Sequence, residues 1–490
     1  MAPAGSELNV PLVDLGSMML YAARRTALLP NMAYVCHFPE RLSAEELELE
    51  ARRIASNPYG LGRRLVMPRI PGARPIWTRN PEPPPVVIAP DAIDASAFST
   101  WLADELSVRH DPLDAAGWRM GAIALGEGTV VVVSMSHLFG TGRDIILALT
   151  EGELPPSNGD ANGNGSASAG TNANGNGNGN GSHPDRGKAV VEAAFSHDLP
   201  AEAADLLRRV RIGVGGVPRL ISQIMTAPQQ REPHGDAATL RRPLDALLDR
   251  DPSRGTPSTR RVAALASVDR EAWSAAAAER GGTALSLQVA VTANLLREAR
   301  YARGGPTHRP IRIIIPVDLA DRSRPDAPDA TMGPVELTSA GIVLAGGLPS
   351  NHVNLTEVRD TCRQAIAAAR AEVAATGRVP VAPGMVDAMR LLPDALTTRV
   401  VMRVHARFDG AVSGVGQVPA GMFQLGPHVA DDVYLAAFPM GSDISLTTAE
   451  ADGQLTIALL ADPSRLGAGP SLRERLAAEL ERWGVEARVQ

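Results

Sequence analysis

Two hydrophobic rhythms run through the chain. In PERLSAEELELEARRIASN, Leu47, Ala51 and Ile54 recur at helical spacing, Ser43 stands where a cap belongs and Glu46 follows three residues on. That pattern predicts an amphipathic helix with a capping box, its ELELE glutamates on the solvated face. Further on the rhythm shortens: Ala122–Leu125 and Thr129–Met135 flank Gly126-Glu127-Gly128, which predicts a strand pair around a turn. The second half mixes the same ingredients. LSLQVAVTANLLREARYARG predicts a long helix, IRIIIPVDL a buried strand that Pro316 ends, and VRDTCRQAIAAARAEVAA a helix carrying Cys362 into the core. VYLAAFPM, ISLTTAE and QLTIALLAD predict strands, and LRERLAAELERWGV predicts a last helix. Similar α and β content in both halves implies an α/β protein of two related lobes.

One stretch belongs to neither rhythm. From Ser157 to Ser182 the chain is almost wholly Asn, Gly, Ser and Ala, a composition that buries no apolar surface and predicts a disordered coil. Its r.m.s. reach as a flexible coil is about 25–30 Å. It divides the chain into a first lobe, 1–155, an Asn/Gly-rich linker or insertion, 156–187, and a second lobe, 188–490.

Composition narrows the function. With 44% hydrophobic residues in 490 the chain can build large cores. A net charge of −6 and only 3% aromatics offer neither a basic field nor stacking platforms, so nucleic acid is not an expected partner. Cys36 and Cys362 stand far apart, which excludes a disulfide framework and a cysteine-rich zinc site and suits a reducing compartment. The start, MAPAGSELNVPLVDL, has no secretory pattern, and no apolar run approaches the ~20 residues of a membrane helix. A cytoplasmic protein is expected, with peripheral membrane contact left open. Lys188 is the sole lysine and lies beside the low-complexity stretch, so neither a P-loop nor a Schiff base is expected. Gly213-Val214-Gly215-Gly216 reads as a helix-breaking loop rather than a dinucleotide fingerprint.

The chemistry concentrates in GTVVVVSMSHLFGTGRDIILAL. A valine run climbs to Ser136-His137 and is followed at once by Gly140, Thr141 and Gly142. Glycines allow a tight turn there, so His137 ends a buried strand on a scaffolded loop, a common place for a catalytic group. A structural histidine bonded to backbone is the alternative.

The order of the pieces resembles a known superfamily. PLVDLGSMML, NPYGLGRRLVMPRIPGARPIW, HDPLDAAGWRMGAIAL and VVVVSMSHLFGTG follow one another as in the acyltransferases of the condensation-domain, chloramphenicol-acetyltransferase-like fold. The layout is most similar to wax ester synthase/diacylglycerol acyltransferases and polyketide-associated acyltransferases, and the resemblance implies two α/β lobes, each a mixed sheet flanked by helices, forming a cleft. Laid on the HHxxxDG signature, SHLFGTG keeps the second histidine as His137 and the glycine as Gly142. Ser136 replaces the first histidine and Thr141 the aspartate. PVDLADR resembles the second half's strand end with Ala320 in place of its arginine, and VSGVGQVPAG resembles the SNxG segment with Gly414 in place of asparagine.

The resemblance implies acyl transfer from a thioester to an alcohol or amine, oxygen acceptors favoured over nitrogen. Acyl-coenzyme A or an acyl carrier protein is the expected donor and a small molecule or lipid the acceptor; no metal or tightly bound cofactor is needed. His137 is the expected general base, a backbone N–H near Gly142 the oxyanion donor, and Ser136 and Thr141 supporting residues. In the superfamily the aspartate pairs with the arginine. Losing one partner would strand a buried charge, whereas losing both is nearly neutral, so Thr141 and Ala320 read as compensating changes. Arg322, or Arg143 with Asp144, are candidate substitutes. A carrier-dependent condensation enzyme of a natural-product assembly line and a non-catalytic scaffold are the alternative readings.

Overall fold

The computed structural model describes residues 10–11, 19–20, 31–57, 60–70, 73–113, 116–142, 145–146, 202–207, 210–211, 260–318, 337–348, 352–376, 408–418, 424–437 and 441–490. The low-complexity stretch, Lys188, the Gly213–Gly216 loop, Arg143, Asp144, Ala320 and Arg322 lie outside them.

The first half builds around β2 (Asn31–Phe38), β6 (Trp118–Leu125) and β7 (Gly128–Ser136), with β5 (Val87–Ile88) at one edge. β6 and β7 form the expected hairpin, Leu125 opposite Gly128. Gly126 takes φ 57 in the first central turn position, where two-residue hairpins favour glycine. β7 is central and covered on both faces, which is why its sequence is a continuous valine run rather than an alternation. Val131, Val133 and Met135 enter one core with α1 (Ala44–Ser56), while Val130 and Val132 enter another with α2 (Ala95–Leu106). Helix α1 carries the expected capping box of Ser43 and Glu46 and buries Leu47, Ala51 and Ile54. A smaller sheet of β1 (Val10–Pro11), β3 (Arg63–Val66) and β4 (Ile76–Arg79) stands beside it.

The second half forms a seven-stranded sheet. Its strands are β8 (Val262–Asp269), β9 (Ile311–Asp318), β10 (Leu337–Leu344), β11 (Gly410–Gln417), β15 (Ile444–Ala451), β16 (Gln454–Ala461) and β17 (Ala487–Val489), in the order β10-β9-β11-β15-β16-β8-β17. Strands β9, β11 and β15 run parallel and the other pairs antiparallel. Helix α3 (Arg270–Glu279) leads into α4 (Ala284–Ala302), which is buried along nearly its whole length. α5 (Thr356–Thr376) brings Cys362 into the same core, and α6 (Leu472–Arg482) adds Leu476 and Leu480.

Pro316 does not end β9, which continues to Asp318 with Pro316 opposite Ser339. The reason lies next door. β11 pairs with β9 only at Gly410 and Ala411 and then diverges, so a residue lacking an N–H removes no bond on that side.

The halves are interleaved. A short hairpin of β12 (Gln424–Leu425) and β13 (His428–Val429) precedes β14 (Asp432–Ala437), which belongs to the second half by sequence but pairs antiparallel with β2, from Asp432 opposite His37 to Ala437 opposite Met32. Residues 202–207 are helical and lie against the β3–β4 loop. There Arg74 pairs with Asp205 at 2.8 Å and the Ile70 N–H donates to Glu202 at 2.9 Å. A shared apolar core of Ala33, Val35, Phe98, Leu102, Ala263, Leu265, Ala458 and Leu460 joins the two large sheets. Among the described residues no helix is long and apolar enough to cross a membrane.

Candidate active site

β7 ends on Ser136, and its neighbours explain how the chain leaves the sheet. The Ser136 N–H donates to the Gly117 carbonyl at 3.0 Å, and its hydroxyl accepts the Leu138 N–H at 3.4 Å. Ser136 is fully buried. Its side chain thus caps the single 3-10 turn His137–Phe139, the hydrogen bond that makes serine a favoured cap. Gly140 then takes φ 148 and ψ −167, where a side chain is disfavoured. The Ile145 N–H donates to the Thr141 carbonyl at 3.1 Å and starts a helical turn. Within this loop His137 and Thr141 are half-exposed while Ser136, Leu138 and Phe139 are buried.

Two buried side chains hold the loop from below. The guanidinium of Arg63 on β3 donates to the Phe139 carbonyl and lies 4.6 Å from the Trp77 ring centroid, on the neighbouring strand β4. Trp77 and Phe139 pack at 5.1 Å. From β2 the Tyr34 hydroxyl donates to the Gly142 carbonyl at 2.5 Å. Sequence reasoning missed both. Arg63 sits in an Arg63-Arg64 pair where only strand alternation tells which one turns inward, and Tyr34 reads as one more apolar strand residue.

The second half meets this loop at β11. Gly414 pairs with Thr448, the register shifts before Gln417 meets Glu450, and Gly416 takes φ 72 within the irregularity. An ideal Cβ on Gly142 would lie 2.7 Å from Leu435 Cδ2 and 3.0 Å from Val415 Cγ1. The room left by the missing side chain is therefore filled by β14 and β11, and the tertiary fold brings the SHLFGTG and VSGVGQ segments together. Behind Gly414, Gln288 of α4 donates to Thr448 Oγ1 at 3.0 Å.

Two other histidines of the first half, His37 and His110, are largely closed off from solvent. His110 Nε2 lies 2.9 Å from Ser134 Oγ, yet the two are 8% and 2% exposed and no substrate can approach them. Burial pushes the His110 imidazole down to about 4, and the Arg119 charge adds to the effect. His37, against Phe98 and Tyr434, is likewise pushed down to about 4, chiefly by burial and then by Arg488. Both are neutral packing groups at pH 7. Among the described residues no cluster of three His, Cys, Asp or Glu side chains is arranged to hold a metal.

No family model and no curated protein sequence matches the chain. Solved structures do. A wax ester synthase/diacylglycerol acyltransferase from Marinobacter aquaeolei VT8 superposes with a TM-score of 0.54 at 13% identity, covering 97% of this chain and 98% of that one. The first condensation domain of the CDA synthetase gives 0.50 at 12% identity, covering 98% and 95%. At such identities the likeness is one of fold: the chain has the two-lobed α/β fold of condensation domains and of the wax ester synthase/diacylglycerol acyltransferase.

Proposed function

We propose that the protein is an acyltransferase that moves an acyl group from a thioester to an acceptor hydroxyl or amine, with His137 as general base. One observation carries the reading. His137 is half-exposed between buried neighbours, at the end of a rigid central strand and on the loop that packs against β11 of the other sheet. Catalytic groups favour such loops on rigid scaffolds.

The chemistry uses what an imidazole can do at neutral pH. The imidazole takes the proton of the acceptor as its oxygen or nitrogen attacks the thioester carbonyl. The C–S bond breaks as the tetrahedral intermediate collapses, and the imidazolium returns the proton to the leaving thiolate. The products are an ester or amide and a free thiol. Ser136 supports the base by capping its turn, and Thr141 starts the helix that follows. Likeness to a wax ester synthase favours oxygen acceptors, with acyl-coenzyme A or an acyl carrier protein as donor.

A thiol-release assay tests the reading with acyl-coenzyme A and acyl-carrier donors crossed against alcohols and amines. His137→Ala is expected to lower turnover by ~10²–10⁴-fold, as removal of a general base does, with the melting temperature nearly kept. Thr141→Ala is expected to do far less. Release only from carrier-bound donors would assign the condensation-enzyme reading. Equal turnover by wild type and His137→Ala would overturn the catalytic assignment, and no release from any donor would favour the scaffold reading.

A further inference from the structure

The loop that presents His137 is short and has two glycines, so its geometry must be imposed by what grips it. At Gly140 and Gly142 only the main chain can be held, since neither has a side chain. Two carbonyls of the loop, those of Phe139 and Gly142, each receive a buried side-chain donor. They flank Gly140 on either side.

The two donors have rigid supports. Tyr34 is fully buried in β2, which is paired along its length with β7 on one side and β14 on the other. Arg63 is 8% exposed, on β3, with its guanidinium against Trp77. The β3–β4 loop is in turn pinned by the Arg74–Asp205 pair and by the Ile70–Glu202 hydrogen bond. A charged donor on a carbonyl makes a strong hydrogen bond, and an arginine stacked on an aromatic face loses little freedom in making it. The Phe139 grip also orients the Gly140 N–H, because a trans peptide points its C=O and N–H in opposite directions.

We infer that Arg63 and Tyr34 are positioning residues for His137, clamping the Phe139 and Gly142 carbonyls so that the imidazole is held in one geometry. The inference rests on the proposed acyl transfer for its catalytic consequence but not for its structural one. Both bonds shown go to the main chain of the loop, not to the imidazole. Neither is called for by the signature motif, whose polar residues lie within the loop itself.

Full-length Arg63→Met, Arg63→Lys and Tyr34→Phe variants test it, with thermal melts establishing which are folded. The lysine keeps a charged donor and the phenylalanine keeps the ring, so these two are expected to fold even if the methionine variant does not. The first measurement needs no turnover: the rate at which diethylpyrocarbonate modifies His137, read by mass spectrometry against exposed His308. A several-fold change in the His137 rate relative to His308 is expected for Tyr34→Phe and Arg63→Met, with Arg63→Lys returning towards wild type. The second is steady-state kinetics on the best donor–acceptor pair: kcat is expected to fall by roughly tenfold, or ~1.4 kcal/mol, with KM within twofold. Wild-type His137 reactivity in the folded variants would overturn the inference, as would wild-type kcat where that reactivity has changed. Should no donor and acceptor turn over, the modification rates alone decide it, so a failed acyl-transfer reading is distinguished from a failed clamp.

Discussion

Gly142→Ala probes the point where the two halves touch. A Cβ built there lies 2.7 Å from Leu435 Cδ2 and 3.0 Å from Val415 Cγ1, against an ordinary carbon–carbon contact of roughly 3.5–4.0 Å. Backbone strain contributes nothing, since Gly142 is not among the residues with positive φ. The two remaining effects have opposite signs. Alanine reduces the freedom of the unfolded chain and favours a helical turn, worth at most about 1 kcal/mol. Forcing a methyl into a filled site costs about 1–3 kcal/mol. Leu435 is 3% exposed on β14, itself paired to β2, so it has little room to retreat. Overpacking wins, by about 1–2 kcal/mol. At roughly 2–4 °C per kcal/mol for domains of about 150–250 residues, the melting temperature should fall by about 2–8 °C. Urea unfolding followed by tryptophan fluorescence should show a lower midpoint at unchanged slope. Turnover should fall as well, because the displaced residue belongs to the His137 loop. Adding Leu435→Ala empties the space the new methyl needs, so the double variant should be less destabilised than the sum of the singles by about 1 kcal/mol. A wild-type midpoint with wild-type turnover, or strict additivity, would refute the reasoning.

Two further predictions concern buried polar groups. Glu479 is 1% exposed and accepts from Trp483 Nε1 at 2.8 Å and Asn294 Nδ2 at 2.7 Å, with His352 Nε2 at 3.1 Å and Arg482 at 3.3 Å. Glu479→Ala leaves buried donors unmet and should cost roughly 3 kcal/mol, while Glu479→Gln, which keeps an acceptor, should cost less; chemical denaturation measures both. His37 and His110 are held down to about 4. The unfolded chain therefore binds more protons between about pH 6.5 and pH 4, and stability should fall as pH drops through that window. The loss reaches up to about 3 kcal/mol per imidazole, and His110→Gln should flatten the slope; a midpoint independent of pH from 7 to 4 would contradict this.

Helix α1 was legible because everything it needs is local: a cap, a capping glutamate and an apolar stripe within thirteen residues. The β6–β7 hairpin was legible for the same reason, a turn glycine between two apolar runs. His137 stood out because a strand's end and a glycine loop occupy adjacent positions along the chain. Pro316 was misread because its tolerance depends on β11, roughly a hundred residues away, parting from β9 after Ala411.

Helix periodicity, capping and turn chemistry act over a few residues, so the pieces and the loop bearing the histidine are written locally in the chain. Packing of the sheets settles that β14 completes the first sheet, that Leu435 and Val415 fill the space at Gly142, and that Arg63 rather than Arg64 turns inward to the Phe139 carbonyl. These are pairings between residues tens to hundreds of positions apart. A strand carries no local mark of its partner, and an arginine carries none of the carbonyl it will meet; both are settled when the sheets pack and buried polar groups must find one another.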